Sequence, residues 1–360
     1  MKQILLFFIL FPVIGMSQKV IPFVDFNNYF RSFQEDNFKV IELQRILDFQ
    51  AGDEFVSYID NKGNLRLYNG TTPQDITNLN IEYKVSDHLM GWKVAGTTIN
   101  MWDAGKMRTL TYNGRSFEVR DSIIVYEDLR YNTVNVYWNG VVTPLYTVVD
   151  ELYMPEFIGE NIVAFRDNGN FYKIFWNGVI YDLGVWNGIP IQFQGGTDII
   201  AFNDPTTRTF TVFDKGEFTD VESFYMGKYK AGRGFVVYED LNGNLNYYSK
   251  GAKTQLSNFS AKFWEVKDDI VVWAENSYVY LYGNDTKNKV CTYTPADYQL
   301  KNNVFAYRNI MGGVNAFVDG KNYEITNQTD SQYSIYGSSV LVKLFNQSYV
   351  ILKKGIKYNS

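Results

Sequence analysis

The sequence predicts an all-β fold, a β-propeller of about nine (8–10) short four-stranded blades with a repeat of about 36 residues. Three observations carry this. An aromatic strand ending in Gly recurs at near-constant spacing, a second apolar strand precedes each copy, and that second strand is apolar without alternation.

The recurrence is plainest in VNVYWNG (134–140) and YKIFWNG (172–178), 38 residues apart. Further copies are LRLYNG ending at Gly70, INMWDAG at Gly105, FTVFDKG at Gly216, LNYYSKG at Gly251, VNAFVDG at Gly320 and YVILKKG at Gly355. From Gly70 to Gly251 the separations are 35, 35, 38, 38 and 35 residues. YVYLYGNDTKN is a degenerate member that turns near Asp285 to Asn288 without Gly in register.

The upstream strands read DEFVSYID, DSIIVYED, ENIVAFRD, TDIIAFND, GFVVYED, DDIVVWAE and NNVFAYRN. Short β-branched and aromatic runs between Asp, Asn and Gly are strand chemistry with turn punctuation. Turn segments such as DNKGNL (60–65), DNGNF (167–171) and DLNGNL (240–245) join them into hairpins, because Gly and Asn tolerate positive φ. Leu110, Leu145, Leu183, Val221, Leu256 and Ile325 each fall five residues after their Gly and mark a third strand. A fourth fits before the next hairpin, as in IEYKVS (81–86). Nine hairpins run from Asp53 to Gly355, and the N-terminal VDFNNYFRSFQEDNFKVIEL reads as part of another unit that completes the last blade.

Uninterrupted apolar runs such as SIIVY and NIVAF need burial on both faces. Stacked repeats of this size supply it, and closing the stack into a ring protects the sheet edges. An open or two-part array of blades is the alternative.

The opening MKQILLFFILFPVIGMSQ has one Lys, an apolar run from Ile4 to Ile14 and small residues at Gly15 and Ser17. It reads as a leader over residues 1–17, with a single propeller domain over 18–360. The run is shorter than the roughly 20 residues a spanning helix needs, and no later segment reaches that length, so the mature chain is expected to be soluble. Cys291 is the only cysteine, so no intramolecular disulfide forms, a pattern that suits a bacterial envelope. Periplasm is the expected location, with cell surface or secretion as alternatives. Removing Lys2 from the 34 basic residues leaves 33 against 39 acidic ones, a charge of −6. That charge argues against nucleic acid and against an anionic membrane surface.

Chemistry is scarce. His88 is the only histidine, and with Cys291 it cannot make a four-ligand zinc site, so neither metal nor cofactor is expected. No G-x-S-x-G elbow accompanies it, and no catalytic residue is assigned. The acidic pairs Glu127/Asp128 and Glu239/Asp240 occupy equivalent turns and read as solvated turn residues, not as a glycosidase pair. DNKGNL and DLNGNL lack the acidic spacing of a calcium loop. Trp138 and Trp176 are the only ligand-binding candidates, with blade-to-blade packing the stronger reading, since Tyr68, Asp214 or Ser249 stand at the equivalent place elsewhere.

These repeats, a hairpin followed by an aromatic strand and [ND/K]-G, resemble the secreted and periplasmic propellers with degenerate WD40-like or TolB-like blades over residues 45–360. The resemblance implies an interaction platform without catalysis. The Asn-, Tyr- and Phe-rich style, the GMSQ boundary and the scarcity of Cys are also similar to envelope proteins of type 9 secretion, among them the periplasmic plug of the outer-membrane translocon. A protein partner, such as that translocon, is therefore expected. Carbohydrate binding is the first alternative and a carboxylate-using glycoside hydrolase or lyase the second.

Overall fold

The computed structural model describes residues 19–79, 81–148, 154–186 and 190–360, so the leader predicted at 1–17 lies outside the described residues. It shows ten antiparallel sheets in chain order, spanning 21–42, 48–77, 81–111, 114–147, 157–186, 194–222, 229–255, 263–291, 298–326 and 332–359. Among the described residues blades 2 to 10 have four strands each and blade 1 has three.

The ring is closed, and its core is divided accordingly. Ten apolar clusters each join one blade to the next, and the tenth unites Ile21, Phe23 and Phe33 of blade 1 with Leu341, Tyr349 and Ile351 of blade 10. The apolar runs explain this division. In Ile162–Arg166 the side chains of Ile162 and Ala164 enter the interface with blade 6, while Val163 and Phe165 enter that with blade 4. A strand feeding two interfaces must be apolar on both faces.

Two expectations are corrected. The count is ten, at the upper end of the expected range, because the N-terminal stretch forms a blade of its own (Ile21–Val24, Phe30–Gln34, Asn37–Glu42) and does not complete the last one. The repeat is also phased differently. Ile81–Val85 pairs with Leu89–Val94 and opens blade 3, so the fourth strand of each repeat belongs to the following blade. Blade 10 therefore builds all four of its strands from 332–359. The open array is excluded by the contact between blades 10 and 1.

Within each complete blade the first strand faces the axis and the last faces solvent. Residues at the ends of first strands meet across the ring, as Lys301 of blade 9 does with Asp53 of blade 2 and Asp87 of blade 3. The final strands, such as Lys106–Thr111 and Ala252–Gln255, are largely exposed. The recurrent WNG turns lie between third and fourth strands. Asn139 and Gly140 have φ of 45° and 84°, and Asn177 and Gly178 of 50° and 78°, which is the left-handed pair a tight two-residue hairpin requires. The degenerate eighth blade meets the same demand with Asn284 and Asp285, at φ of 50° and 55°.

Candidate functional site

Alternation of strand direction gives the ring two unlike rims. One holds the turns from first to second strand and from third to fourth, and we call it the collar rim. The other holds the turns from second to third strand and the links between blades, and is the connector rim.

The collar is built from backbone first. Inner turns of neighbouring blades are joined by backbone hydrogen bonds: Glu54 N–H to the Asp87 carbonyl (3.2 Å), Ser122 N–H to Glu160 (3.1 Å), Arg233 N–H to Asp268 (2.6 Å) and Asp269 N–H to Asn302 (3.3 Å). The turns approach so closely that a Cβ on Gly196 would strike the Gly232 carbonyl, and one on Gly52 the Ser86 carbonyl. Charged side chains are thereby gathered at the axis.

Lys301 Nζ lies 3.1 Å from an Asp87 carboxylate oxygen and 3.4 Å from one of Asp53, while Lys267 Nζ reaches Glu160 at 3.8 Å. Both bridges cross between non-adjacent blades. Burial alone would push the Lys301 ammonium down, but Asp87 and Asp53 outweigh it and hold it above its ordinary value. Burial and the Asp87 charge raise the Asp53 carboxyl, and Lys301 opposes them. The two directions fit one ammonium shared between two acids.

Asp121 accepts the Asp87 N–H (3.3 Å) and is pushed up to about 7 by burial, then by Glu160 and Asp87. His88, expected as a turn residue, sits in the same collar with Nδ1 3.0 Å from a Glu54 oxygen. Among the described residues no group of three or more His, Cys, Asp or Glu is placed to hold a metal ion.

The connector rim is apolar by contrast. Among the described residues every exposed large apolar side chain lies either on an outermost strand or at this rim, and none lies on a collar turn. Leu241 (76% exposed), Ile310 (78%), Met311 and Phe345 (77%) crown second-to-third turns, and Leu43, Leu79, Tyr112 and Phe259 stand on links. Those turns are held rigid. Asp60 accepts the N–H of Lys62 and of Asn64, both at 2.9 Å, and Asp240 repeats this with Asn242 and Asn244. The DNKGN and DLNGN acids thus spend their oxygens on their own turns. A cavity of about 410 Å³ also opens here, lined by Lys228, Lys230, Glu239 and Trp264, with Lys230 Nζ 5.0 Å from the Trp264 ring centre.

The other sequence-derived candidates disperse. Trp138 packs into the interface of blades 4 and 5 and covers Gly178. Trp176 packs between blades 5 and 6, donates Nε1–H to Asp198 (2.8 Å) and meets Phe213 edge-on. Both are half-buried and are not brought together on one surface. The solvated reading of the acidic pair at 127/128 is corrected: Glu127 is 1% exposed and paired with the Arg115 guanidinium of the same blade's first strand at 3.1 Å, because both acids end a strand buried throughout. Glu239 pairs with Lys228 at 3.1 Å. Burial raises the Cys291 thiol, which lies 3.1 Å from the Tyr293 carbonyl. Sequence reasoning missed Lys301, Lys267, Arg233 and Asp121. Their signal was a charged residue just before each hairpin, readable only once the ring sets those positions side by side.

Among the described residues no helix is long and apolar enough to cross a membrane. The family model described as a 10-bladed beta propeller domain matches residues 15–358. No curated protein is significantly similar to the chain. Among solved structures, the chain is similar to the computationally designed Ika8 protein (16% identity, 74% of this chain and 94% of that one, TM-score 0.33). It is similar to the tricorn protease (12% identity, 92% and 45%, TM-score 0.33), spanning less than half of that protein. It is also similar to the CRINKLY WD40 ectodomain of the Arabidopsis thaliana receptor kinase ACR4 (9% identity, 73% and 93%, TM-score 0.30).

Proposed function

Because the chain belongs to the ten-bladed β-propeller family, we propose that it is a non-catalytic interaction protein of the bacterial cell envelope that binds a protein partner through its connector rim. The observation that carries this is the segregation of exposed apolar side chains to one rim, opposite a charged collar. Rigid turns presenting apolar side chains form a surface that gains from being covered by another protein. Export through a leader cleaved after Ser17 and the lone Cys291 support a periplasmic site of action. The partner on this reading is an outer-membrane protein, and a secretion translocon that the ring plugs or gates is the first to test.

The test is isolation from the native envelope under gentle solubilisation. One outer-membrane protein co-purifying in equal amount is expected, and a ring that comes away alone would overturn the reading. Carbohydrate binding draws no support from Trp138 and Trp176, whose rings are engaged between blades. Carboxylate catalysis has one observation in its favour, the gathering of Asp53, Asp87, Asp121 and Glu160 at the axis. Against it, Lys301 and Lys267 pair with three of these four, Asp53, Asp87 and Glu160. Hydrolysis of a glycan panel by the wild type and not by Asp121→Asn would establish that second reading instead.

A further inference from the structure

The cavity of about 410 Å³ at the connector rim lies where blades 6, 7 and 8 meet, beside the innermost strands Gln194–Gly195, Tyr229–Ala231 and Phe263–Lys267. Its charge departs from that of the rim elsewhere. At the equivalent place in blades 3, 5 and 9 an acid on or just before the first strand pairs with a base on the second: Glu82 with Lys93 (2.7 Å), Glu156 with Arg166, and Asp297 with Arg308 (3.1 Å). Blade 7 reverses the order, with Lys228 inside and Glu239 on the second strand, 3.1 Å apart. Blade 6 has the neutral Gln192 at that place, and blade 8 brings Lys262. Lys228, Lys230 and Lys262 thus line one cavity against the single acid Glu239, in a chain whose formal charge is −5.

The lining is also rich in donors that lack acceptors. Among the described residues Lys262 has no acid partner, and the side-chain amides of Gln192 and Gln194 make no hydrogen bond. Trp264 is 9% exposed, yet its indole N–H has no acceptor among the described residues, whereas Trp176 donates to Asp198 and Trp273 to Glu275. Lys230 is fixed, with Nζ 2.7 Å from a Glu265 oxygen and 3.3 Å from the Trp264 carbonyl. Lys228 is free to change partner: it is 68% exposed, and a surface pair of this kind is worth little. An ionised carboxyl group accepts hydrogen bonds and donates none, so it satisfies both the charge and the unmet donors. Phe263, half-buried beside Trp264, offers an apolar wall to whatever adjoins the acid.

We propose that this cavity receives an acidic side chain, flanked by apolar residues, from an extended segment of the protein partner. The proposal rests on the connector-rim reading and names the chemistry the partner presents there. Lys262 and Lys228 take the carboxylate, the amide and indole N–H groups complete its hydrogen bonds, and the apolar neighbour packs on Phe263. A charged contact of this kind selects the partner and fixes its register.

The test uses the purified protein and a capped, fluorescently labelled pentapeptide of sequence LEFEL, with LQFQL as its uncharged counterpart, followed by anisotropy. Saturable binding of LEFEL, at least about tenfold tighter than that of LQFQL and weakened by added salt, is expected. Lys228→Gln/Lys262→Gln changes two exposed positions, and is expected to weaken LEFEL binding about tenfold or more at an unchanged melting temperature. Absent LEFEL binding, equal binding of LQFQL, or equal binding by the variant overturns the proposal. Displacement of LEFEL by millimolar inorganic phosphate also overturns it, by showing a site for small anions. Recovery from native envelopes separates the proposal from the reading beneath it. A partner that stays with the variant as it does with the wild type overturns the acidic segment alone, and a wild-type ring that comes away alone overturns both.

Discussion

At the residue scale, the collar depends on two features with measurable consequences. Gly196 lies where successive inner turns touch, and any side chain there must displace the Gly232 backbone. Gly196→Ala is expected to cost at least about 2 kcal/mol in denaturant unfolding, although alanine has the higher propensity for ordinary backbone. Asp121 titrates near 7 in the folded protein, against an ordinary carboxyl value of 3.8. A folded-state value raised in this way means the native chain holds its proton more tightly, so stability falls as pH rises from about 4 to 7 and the cost persists above. Asp121→Asn keeps an acceptor for the Asp87 N–H and removes the charge. It is expected to stabilise the protein by about 1–4 kcal/mol at pH 8 and to have little effect near pH 4. A constant difference across that range in urea titrations would refute the assignment.

At the element scale, what the sequence discloses is set by what each position must satisfy alone. The WNG hairpins were legible because positive φ at two successive residues favours Gly at the second of them, and the second strands because burial on two faces removes alternation. Blade 1 was misassigned because its third-to-fourth turn uses Glu35 and Asp36, at φ of 49° and 58°, in place of the marker Gly. The phase of the repeat was hidden because a short innermost strand such as Phe157–Ile158 carries little periodicity of its own. The charged collar could not be read at all, since Lys301 and Asp53 lie 248 residues apart and meet only through ring closure. The second-to-third turns make a further test. Asp240 accepts two backbone N–H bonds at 2.9 Å, so Asp240→Ala is expected to lower stability by about 1 kcal/mol in thermal melts and leave the fold intact.

At the scale of the whole molecule, ten similar interfaces and, among the described residues, no shared strand make a ring in which the contact of blade 10 with blade 1 is an interface like the others. Ile351→Ala at the closure and Ile174→Ala between blades 5 and 6, both fully buried, are expected to cost similar amounts, about 2–5 kcal/mol each. A much smaller loss for Ile351→Ala would show a weak seam. The ring holds its turns in fixed positions and so sorts them by chemistry, charge to the axis on one side and apolar side chains to the other. The measurement that tests this division of labour most directly is recovery of the partner from native envelopes with three forms of the chain: wild type, a Leu241→Asp/Phe345→Asp double variant, and Asp121→Asn. Both rim residues are more than three-quarters exposed, so the double variant is expected to fold and melt as the wild type does while losing the partner. The collar variant is expected to keep it. Retention by the rim variant together with loss by the collar variant would contradict the account and place binding at the axis.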